Sequence, residues 1–161
     1  MSASTATLDQ EILDLGGDIN PEDGSSPEDH QPEENFYLLV CGGRDFRDGK
    51  IVRRILEGYL QTHGAALRIV HGGATGADQH AARWSKARGV PSRSFPADWK
   101  THGKRGGVVR NQEMAAYLSF VVERGHAAHV LAFPGGPGTQ HMCEHAKSVG
   151  LTVGRIAVAN P

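Results

Sequence analysis

Two glycine-rich stretches have the residue types and spacing to hold a phosphate group. They are Phe133-Pro-Gly-Gly-Pro-Gly-Thr139 and His71-Gly-Gly-Ala-Thr-Gly-Ala-Asp78, each between an apolar run and a stretch with helical character. A turn from a strand into a helix presents backbone N–H groups and the positive end of the helix dipole to an anion. Glycine lets the ligand approach because it has no Cβ. We predict that phosphate is bound by Gly72, Gly73, Thr75, Gly76, Gly135, Gly136, Gly138 and Thr139. For the two threonines, helix capping is the alternative role.

A third glycine stretch, Gly42-Gly43-Arg44-Asp45, combines close backbone approach with one cation and one anion. The guanidinium of Arg44 has the geometry to bind a phosphate or a carboxylate through two hydrogen bonds. A surface contact between Arg44 and Asp45 is the alternative. We include all four residues in the predicted ligand site.

A second arginine, in the pair Arg110-Asn111, lies early in a predicted helix. An arginine near a helix start opposes the helix dipole. This unfavourable placement predicts that Arg110 faces an anionic ligand, with Glu113 as the alternative, local partner. Asn111 is predicted to lie at the same site.

Two aspartates and a tryptophan follow strands and complete the predicted site. Asp78 lies in the first turn of a helix, where it would contact ribose hydroxyls or orient water. The alternative is that the carboxylate only interacts favourably with the helix dipole. Asp98 and Trp99 follow the third strand, and Trp99 would either stack on a base or close the core. The polar, basic stretch 100–107 is expected to be a loop, either a lid over an anion or an ordinary solvated segment.

Other site types have little support in the sequence. His141 and His145 have the i, i+4 spacing of metal ligands, but no third ligand is visible, so two surface histidines are the favoured interpretation. Neither the G-x-G-x-x-G nor the G-x-x-x-x-G-K-[ST] motif is present. The two cysteines, Cys41 and Cys143, form no zinc-type pair. We therefore predict no metal and no required cofactor.

The elements that must position these residues alternate between strand and helix. Strands are predicted at 36–41, 67–70, 90–95, 127–133 and 152–158, and helices after Asp48 and at 77–88, 108–122 and 140–149. This alternation predicts a Rossmann-like, three-layer α/β/α fold with a mainly parallel sheet of about five strands. Because the candidate residues follow strands, they should meet at the carboxyl edge of the sheet, where the strand order reverses.

Charge divides the chain into two regions. Residues 1–34 carry ten of the 18 acidic residues and no lysine or arginine, which leaves eight acidic against 17 basic residues for the rest. We predict a disordered acidic tail over residues 1–35 and one domain over residues 36–161. The basic domain suits an anionic ligand such as a nucleotide, or nucleic acid. No apolar run is long enough to span a membrane, and no secretion signal is visible, so a cytoplasmic location is expected.

The turn that ends at Thr139 resembles the P-G-G-x-G-T turn of the SLOG superfamily. That superfamily contains the Lonely Guy phosphoribohydrolases, the DNA-processing protein A family and nucleotide-sensing domains. The chain is similar to one branch in particular, the YspA, cpYpsA-related proteins of bacteria and phages, over about residues 36–158. The stretches that carry this resemblance are Gly42-Gly-Arg-Asp-Phe46, His71-Gly-Gly-Ala-Thr-Gly-Ala-Asp78, Phe95-Pro-Ala-Asp-Trp99 and Arg110-Asn111 with Met114.

The resemblance implies a Rossmann-like sheet and a site for a nucleotide-derived ligand. Lonely Guy enzymes cleave an N-glycosidic bond with the glutamate of P-G-G-x-G-T-x-x-E, assisted by an arginine whose setting Arg110 matches. The glutamate position here is Met142, and a thioether cannot act as a general acid. Glu144 lies about 200° further round the helix. Asp78 or Asp98 would have to take the place of the catalytic glutamate. Arg110 and Asp78 are therefore the catalytic candidates if the protein is an enzyme.

The function expected from the sequence is binding of a nucleotide or nucleotide-derived ligand, as a sensor or sequestering protein. Two alternatives stay open: a nucleotide N-glycosidic bond hydrolase, and a single-stranded DNA-binding protein that uses the basic domain as a backbone track. Relatives with this fold often form dimers through helices, and residues 108–122 have enough apolar surface for a homodimer. No membrane partner is expected.

Overall fold

The computed structural model describes residues 33–158, and at its centre is a five-stranded, all-parallel sheet. The strands are β1 Phe36–Cys41, β2 Leu67–His71, β3 Ser92–Ser94, β4 Ala127–Ala132 and β5 Thr152–Arg155. The predicted α/β fold with a parallel sheet is thereby confirmed. β3 and β5 are shorter than predicted; β3 pairs over three residues with β2 alone at the sheet edge. All but the last three residues of the predicted acidic tail lie outside the described residues.

The strand order β3-β2-β1-β4-β5 reverses direction between β1 and β4. From β1 the chain proceeds outward through β2 to β3, and then crosses back to place β4 and β5 on the other side. Val40 of β1 is level with His71 of β2, and Cys41 is level with Ala132 of β4. The segments after β1, β2 and β4 therefore emerge side by side, at the position where parallel α/β sheets bind ligands.

Helices cover both faces of the sheet. They are α1 Gly49–His63, α2 Ala77–Arg88, α3 Trp99–His102, α4 Gly106–Glu123 and α5 Pro137–Ser148. Side chains along a strand alternate between faces, and in β1 Leu38 packs in one apolar core with residues of α1 and α2. Its neighbour Leu39 packs in a second core with residues of α4 and α5. No helix between residues 33 and 158 is long and apolar enough to cross a membrane.

Local signals account for the boundaries of the first two long helices. The Asp48 side chain accepts a hydrogen bond from the Ile51 N–H at 3.2 Å and caps α1. Gly89 ends α2 with a φ of 67°, in the left-handed region that favours glycine. Both boundaries agree with the sequence prediction.

The predicted loop at 100–107 is helical instead. α3 is followed by a 3₁₀ turn at Gly103–Arg105, and α4 begins at Gly106. Asp98 caps α3 by accepting a hydrogen bond from the Thr101 N–H at 3.0 Å. A Cβ on Gly106 would lie 2.8 Å from the Trp99 ring, so this glycine allows close packing rather than a flexible loop.

The last long helix begins three residues earlier than predicted. α5 starts at Pro137, a residue suited to the first helical position because its missing N–H has no partner there in any helix. Gly136 is the N-cap, and no side chain caps the helix. Thr139 therefore lies inside the first turn, and the alternative in which it caps the helix is wrong, whereas its contact with phosphate stays a prediction.

Candidate ligand-binding site

A cavity of about 970 Å³ opens at the reversal between β1 and β4. Its walls come from the segment after β1, the start of α2, the ring of Trp99, the first turns of α4 and the segment that leads into α5. Twelve of the residues predicted from the sequence line it: Gly42, Gly43, Arg44, Asp45, Asp78, Trp99, Arg110, Asn111, Gly135, Gly136, Gly138 and Thr139. Distant parts of the sequence thus form one concave surface, as expected for strand ends that meet at one edge.

Five predicted residues lie outside the cavity lining, and several lining residues were not predicted. The five are Gly72, Gly73, Thr75, Gly76 and Asp98. The unpredicted lining residues are Cys41, Phe46, Ala74, Lys104, Gly107, Val108, Met114, Pro134, Pro137, His141 and Met142. Phe46, Ala74, Met114, Pro134 and Pro137 belong to the motif stretches quoted above, but they were not assigned to the site because they are apolar or small. Lys104 belongs to the basic stretch whose charge was evident in the sequence.

The turn at 134–138 faces the cavity with unused hydrogen-bond donors. All five of its residues are exposed. Among the described residues, the N–H groups of Gly138 and Thr139 have no hydrogen-bond partner, as is usual in an uncapped first turn. A Cβ on Gly136 or Gly138 would meet no atom within 4 Å. Packing therefore does not require glycine at these two positions, whereas close approach of a ligand would.

Two other glycines join this turn to the segment after β1. The Gly43 N–H donates to the Pro134 carbonyl at 2.9 Å. A Cβ on Gly43 would lie 3.0 Å from that carbonyl oxygen, and a Cβ on Gly135 would lie 2.6 Å from the Gly43 nitrogen. Gly43 and Gly135 thus allow the two segments to touch along the cavity wall.

The turn at 72–76 is partly engaged within the protein: Gly72 and Gly76 are buried, Gly73 and Thr75 are exposed, and Ala74 lines the cavity. The Gly72 N–H donates to Asp78 Oδ2 at 2.9 Å, and the Gly73 N–H donates to His71 Nδ1 at 3.1 Å. Two of the N–H groups predicted to bind phosphate, those of Gly72 and Gly73, are therefore already used within the protein, and phosphate binding by this turn stays a prediction. Gly76 has a φ of 79° and packs directly on the Gly43 carbonyl. Thr75 Oγ1 donates to the Arg44 carbonyl at 3.2 Å and supports the neighbouring segment.

Arg110 spans the cavity wall between α4 and the 72–76 turn. Its Nη1 donates to the Gly72 carbonyl at 2.5 Å, and its Nε donates to Asn111 Oδ1 at 3.2 Å. Burial lowers the pKa of Arg110, while the nearby Asp78 carboxylate acts in the opposite direction. Arg110 makes no ion pair with Glu113, so among the described residues the alternative, local partner is not used.

Asp78 is the buried acid of the site, with only 5% of its surface exposed. Its Oδ2 accepts hydrogen bonds from the N–H groups of Gly72 and Ala74, at 2.9 and 3.3 Å. Burial raises the pKa of Asp78 to about 6, against the opposing effects of these N–H groups and of Arg110. The carboxylate thus supports the 72–76 turn and also reaches the cavity.

Trp99 stands at the rim of the cavity rather than in the core. Its side chain is 48% exposed, which rules out the alternative in which it closes the core. The ring packs against Gly106, and the guanidinium carbon of Arg44 lies 5.3 Å from the ring centroid. Arg44 makes no ion pair with Asp45, and in the described part of the chain it is directed towards this aromatic wall. Asp98 serves as the helix cap described above.

Asn111 connects the two helices beneath the cavity. Its Nδ2 donates to the Gly138 carbonyl at 3.2 Å and lies 3.2 Å from His141 Nδ1. If the amide donates to both, the His141 proton lies on Nε2. The ring of His145 lies parallel to that of His141 at 6.0 Å but does not line the cavity. Between residues 33 and 158, no cluster of three or more His, Cys, Asp or Glu side chains is placed to hold a metal ion.

The floor of the cavity beside α5 is apolar. Met142, at the position where the resemblance to Lonely Guy enzymes would place a glutamate, is 1% exposed and packs in the same core as Met114. Glu144 is exposed, accepts a hydrogen bond from Gln140 Nε2 and does not line the cavity. No carboxylate of α5 therefore replaces the missing glutamate.

Comparison with known proteins identifies the family of the chain. A model of the YspA, cpYpsA-related SLOG family matches residues 36–102, which include β1, the 72–76 turn and Trp99. The chain is also similar to the Gene 61 protein of Mycobacterium phage D29, with 37% identity over 123 residues, covering 72% of this chain and 92% of that protein. On these grounds, together with its parallel sheet and its glycine turns, the chain belongs to the YspA, cpYpsA-related SLOG family.

Proposed function

We propose that the protein binds a nucleotide or nucleotide-derived ligand whose phosphate lies at the 134–138 turn. The observation that carries this proposal is the start of α5, where unpartnered N–H groups and two glycines with open space around them face the cavity. A helix N-terminus of this kind favours an anion through both its donors and its dipole. Membership of the SLOG family supports the same class of ligand.

The charges that line the cavity favour the same ligand class. Arg44, Lys104 and Arg110 contribute three cations, against the two acids Asp45 and Asp78. Arg44 and Lys104 are exposed, so they can adjust to a ligand without disrupting buried contacts. The exposed ring of Trp99 beside Arg44 offers a flat surface on which a base could stack. Because Met142 provides no carboxylate for catalysis, the proposed role is sensing or sequestering a nucleotide. The cytoplasmic location stays a prediction.

Titration calorimetry with nucleoside mono-, di- and triphosphates tests this proposal. Arg44→Ala should weaken binding about tenfold or more, because a hydrogen bond to a charged group contributes about 1.5–3 kcal/mol. Arg47→Ala is the matched control, since Arg47 is also exposed in the same segment but does not line the cavity. Equal affinity of wild type and Arg44→Ala, or no binding of any nucleotide, would contradict the proposal.

A second candidate function is hydrolysis of the N-glycosidic bond of a nucleotide. The observation in its favour is Asp78, which lines the cavity and whose pKa of about 6 suits proton transfer near neutral pH. Incubation with nucleoside monophosphates and analysis for free base separates the two functions. Release of base that is lost in Asp78→Asn would establish the hydrolase; binding without release would leave the sensor. The single-stranded DNA alternative predicts binding that falls steeply with salt.

A further inference from the structure

We infer that Asp78 and Arg110 together recognise a sugar hydroxyl, so that the ligand is a ribonucleotide rather than a deoxyribonucleotide. This inference rests on the proposed nucleotide site and specifies its substrate class. It starts from two opposite charges that line one cavity, form no ion pair with each other, and each keep one polar atom without a hydrogen-bond partner among the described residues.

The two side chains are close enough to influence each other but do not form an ion pair. Both contact Gly72, whose N–H donates to Asp78 Oδ2 at 2.9 Å and whose carbonyl accepts from Arg110 Nη1 at 2.5 Å. Each also affects the pKa of the other, although burial is the largest cause for each. Yet within residues 33–158 the structure contains one salt bridge, between Arg88 and Glu57, so the charged atoms of Asp78 and Arg110 are more than 4.0 Å apart. Buried charges are normally paired or hydrogen-bonded because desolvation disfavours them. A group that lies between these two would satisfy both.

One oxygen of the Asp78 carboxylate accepts no hydrogen bond from the described residues. Oδ2 accepts both backbone N–H groups of the 72–76 turn, whereas Oδ1 has no hydrogen-bond partner in the described part of the protein. Among the described residues, every fully buried side-chain oxygen has a hydrogen-bond partner. Since Oδ1 has none, it is not fully buried, and we take it to be accessible from the cavity that Asp78 lines. An ionised carboxylate only accepts hydrogen bonds. The ligand group opposite Oδ1 must therefore be a donor, and a phosphate oxygen would be repelled.

Arg110 has a hydrogen-bond donor available, which complements the free acceptor Oδ1 of Asp78. Nη1 and Nε are engaged by Gly72 and Asn111, which fix the orientation of the guanidinium. Nη2 has no hydrogen-bond partner among the described residues. It remains as a donor towards the ligand. A hydroxyl both donates and accepts, so a single sugar hydroxyl can donate to Asp78 Oδ1 and accept from Arg110 Nη2, whereas neither a phosphate nor a base methyl group can.

The test measures affinities for the four ribonucleoside 5′-monophosphates and for their 2′-deoxy and 3′-deoxy analogues, with the full-length protein. We expect at least one deoxy series to bind about tenfold or more weakly than the ribonucleotides, because loss of the hydroxyl leaves a buried charge unsatisfied. The comparison uses the wild-type protein, so it does not depend on whether any variant folds.

Two variants then test whether Asp78 causes the discrimination between ribonucleotides and deoxynucleotides. Asp78→Asn retains an acceptor for the 72–76 turn but loses the charge, and should reduce the preference for ribonucleotides to about threefold or less while deoxynucleotides still bind. Asp48→Asn is the matched control: it removes one carboxylate, asparagine is an equally good cap for α1, and Asp48 lies outside the cavity lining. This control should retain the full preference.

The outcomes separate this inference from the proposed function. Equal affinity for ribonucleotides and both deoxy series would overturn the inference and leave nucleotide binding intact. An Asp78→Asn effect confined to one base, without discrimination between sugars, would also overturn it, because the carboxylate would then recognise a base amine. If no nucleotide binds, the proposed function fails and this inference fails with it.

Discussion

The turns at 72–76 and 134–138 have similar compositions but different surroundings. Each contains three glycines, and each leads from a strand of the sheet into a helix. In the 72–76 turn, N–H groups bond to Asp78 and His71, and Gly76 is buried against the segment after β1. In the 134–138 turn every residue is exposed, and two glycines have open space around them. One turn is held by contacts within the protein, and the other is exposed at the cavity where we propose that the ligand binds.

The difference shows that glycine can be required for two unrelated reasons at positions that look alike in sequence. Gly76 is required by its φ of 79° and by the nearby Gly43 carbonyl. Gly136 has a φ of −96°, which any residue can adopt, and no neighbour excludes a side chain. The first kind of glycine should affect stability and the second kind ligand binding.

The largest effect is expected for Gly76→Ala. A Cβ at this position would overlap backbone atoms of Gly43 and Arg44, and alanine disfavours the positive φ. Strain of about 1–3 kcal/mol and overpacking of about 1–3 kcal/mol should together lower the free energy of unfolding by about 4 kcal/mol. Urea denaturation measures this. Gly58→Ala, at an open position inside α1, is the control and should stabilise by up to about 1 kcal/mol. A neutral Gly76→Ala would contradict the structural role of this turn.

The next largest effect should come from titration of Asp78, which supports the 72–76 turn. Its pKa is raised from 3.8 to about 6 in the folded protein. As pH rises from about 4 to about 6, the unfolded chain releases a proton that the folded protein retains. The free energy of unfolding should therefore fall across this range, by about 3 kcal/mol in total, and be constant above it.

Comparison with Asp78→Asn isolates this contribution, because other groups also titrate between pH 4 and 6. The difference in unfolding free energy between wild type and variant, from urea denaturation at each pH, should change in that range alone. A difference independent of pH would show that Asp78 is not desolvated as the structure indicates.

Gly138→Ala should separate the two turns most clearly. Alanine is a better helix former than glycine, and the position is open, so stability should be unchanged or increase by up to about 1 kcal/mol. The new methyl group stands where phosphate is proposed to bind, and nucleotide affinity should fall about tenfold, equivalent to about 1.4 kcal/mol. Calorimetric titration and thermal unfolding of the same sample provide both values. Unchanged affinity would remove the 134–138 turn from the site.

The smallest effect is expected for Thr75→Val, which removes the hydrogen bond from Thr75 Oγ1 to the Arg44 carbonyl. Thr75 is exposed, so the loss should cost about 0.5–1 kcal/mol of stability. Since Thr75 does not line the cavity, nucleotide affinity should change less than threefold. A larger loss of affinity, without loss of stability, would indicate that Thr75 contacts the ligand directly.

Local signals in the sequence were sufficient to predict much of the fold. Asp48 and Gly89 mark helix ends through contacts within a few residues, and both were predicted correctly. The stretch 100–107 was predicted incorrectly because its glycines suggested a loop. Gly106 is instead required by the Trp99 ring, a neighbour that no local pattern identifies. Similarly, Pro137 was assigned to a turn although it starts α5.

The same distinction applies to the candidate site. The positions of Arg44, Asp78 and Arg110 after strands or near helix starts were enough to bring all three to one cavity. The sequence did not reveal that Asp78 and Arg110 are unpaired, because that depends on distances between α2 and α4. Nor did it reveal that the 72–76 turn uses its own N–H groups, since His71 and Asp78 reach them only in the folded chain.

The sequence by itself determined the alternation of strands and helices, the family and the residues that gather at the carboxyl edge of the sheet. These follow from periodicity and short motifs, which are local properties. Only the tertiary structure decided which glycine turn is exposed at the cavity. That outcome depends on contacts between distant segments: both turns pack against the segment after β1, but Gly136 and Gly138 of the turn after β4 have open space around them, whereas Gly76 of the turn after β2 is buried against that segment.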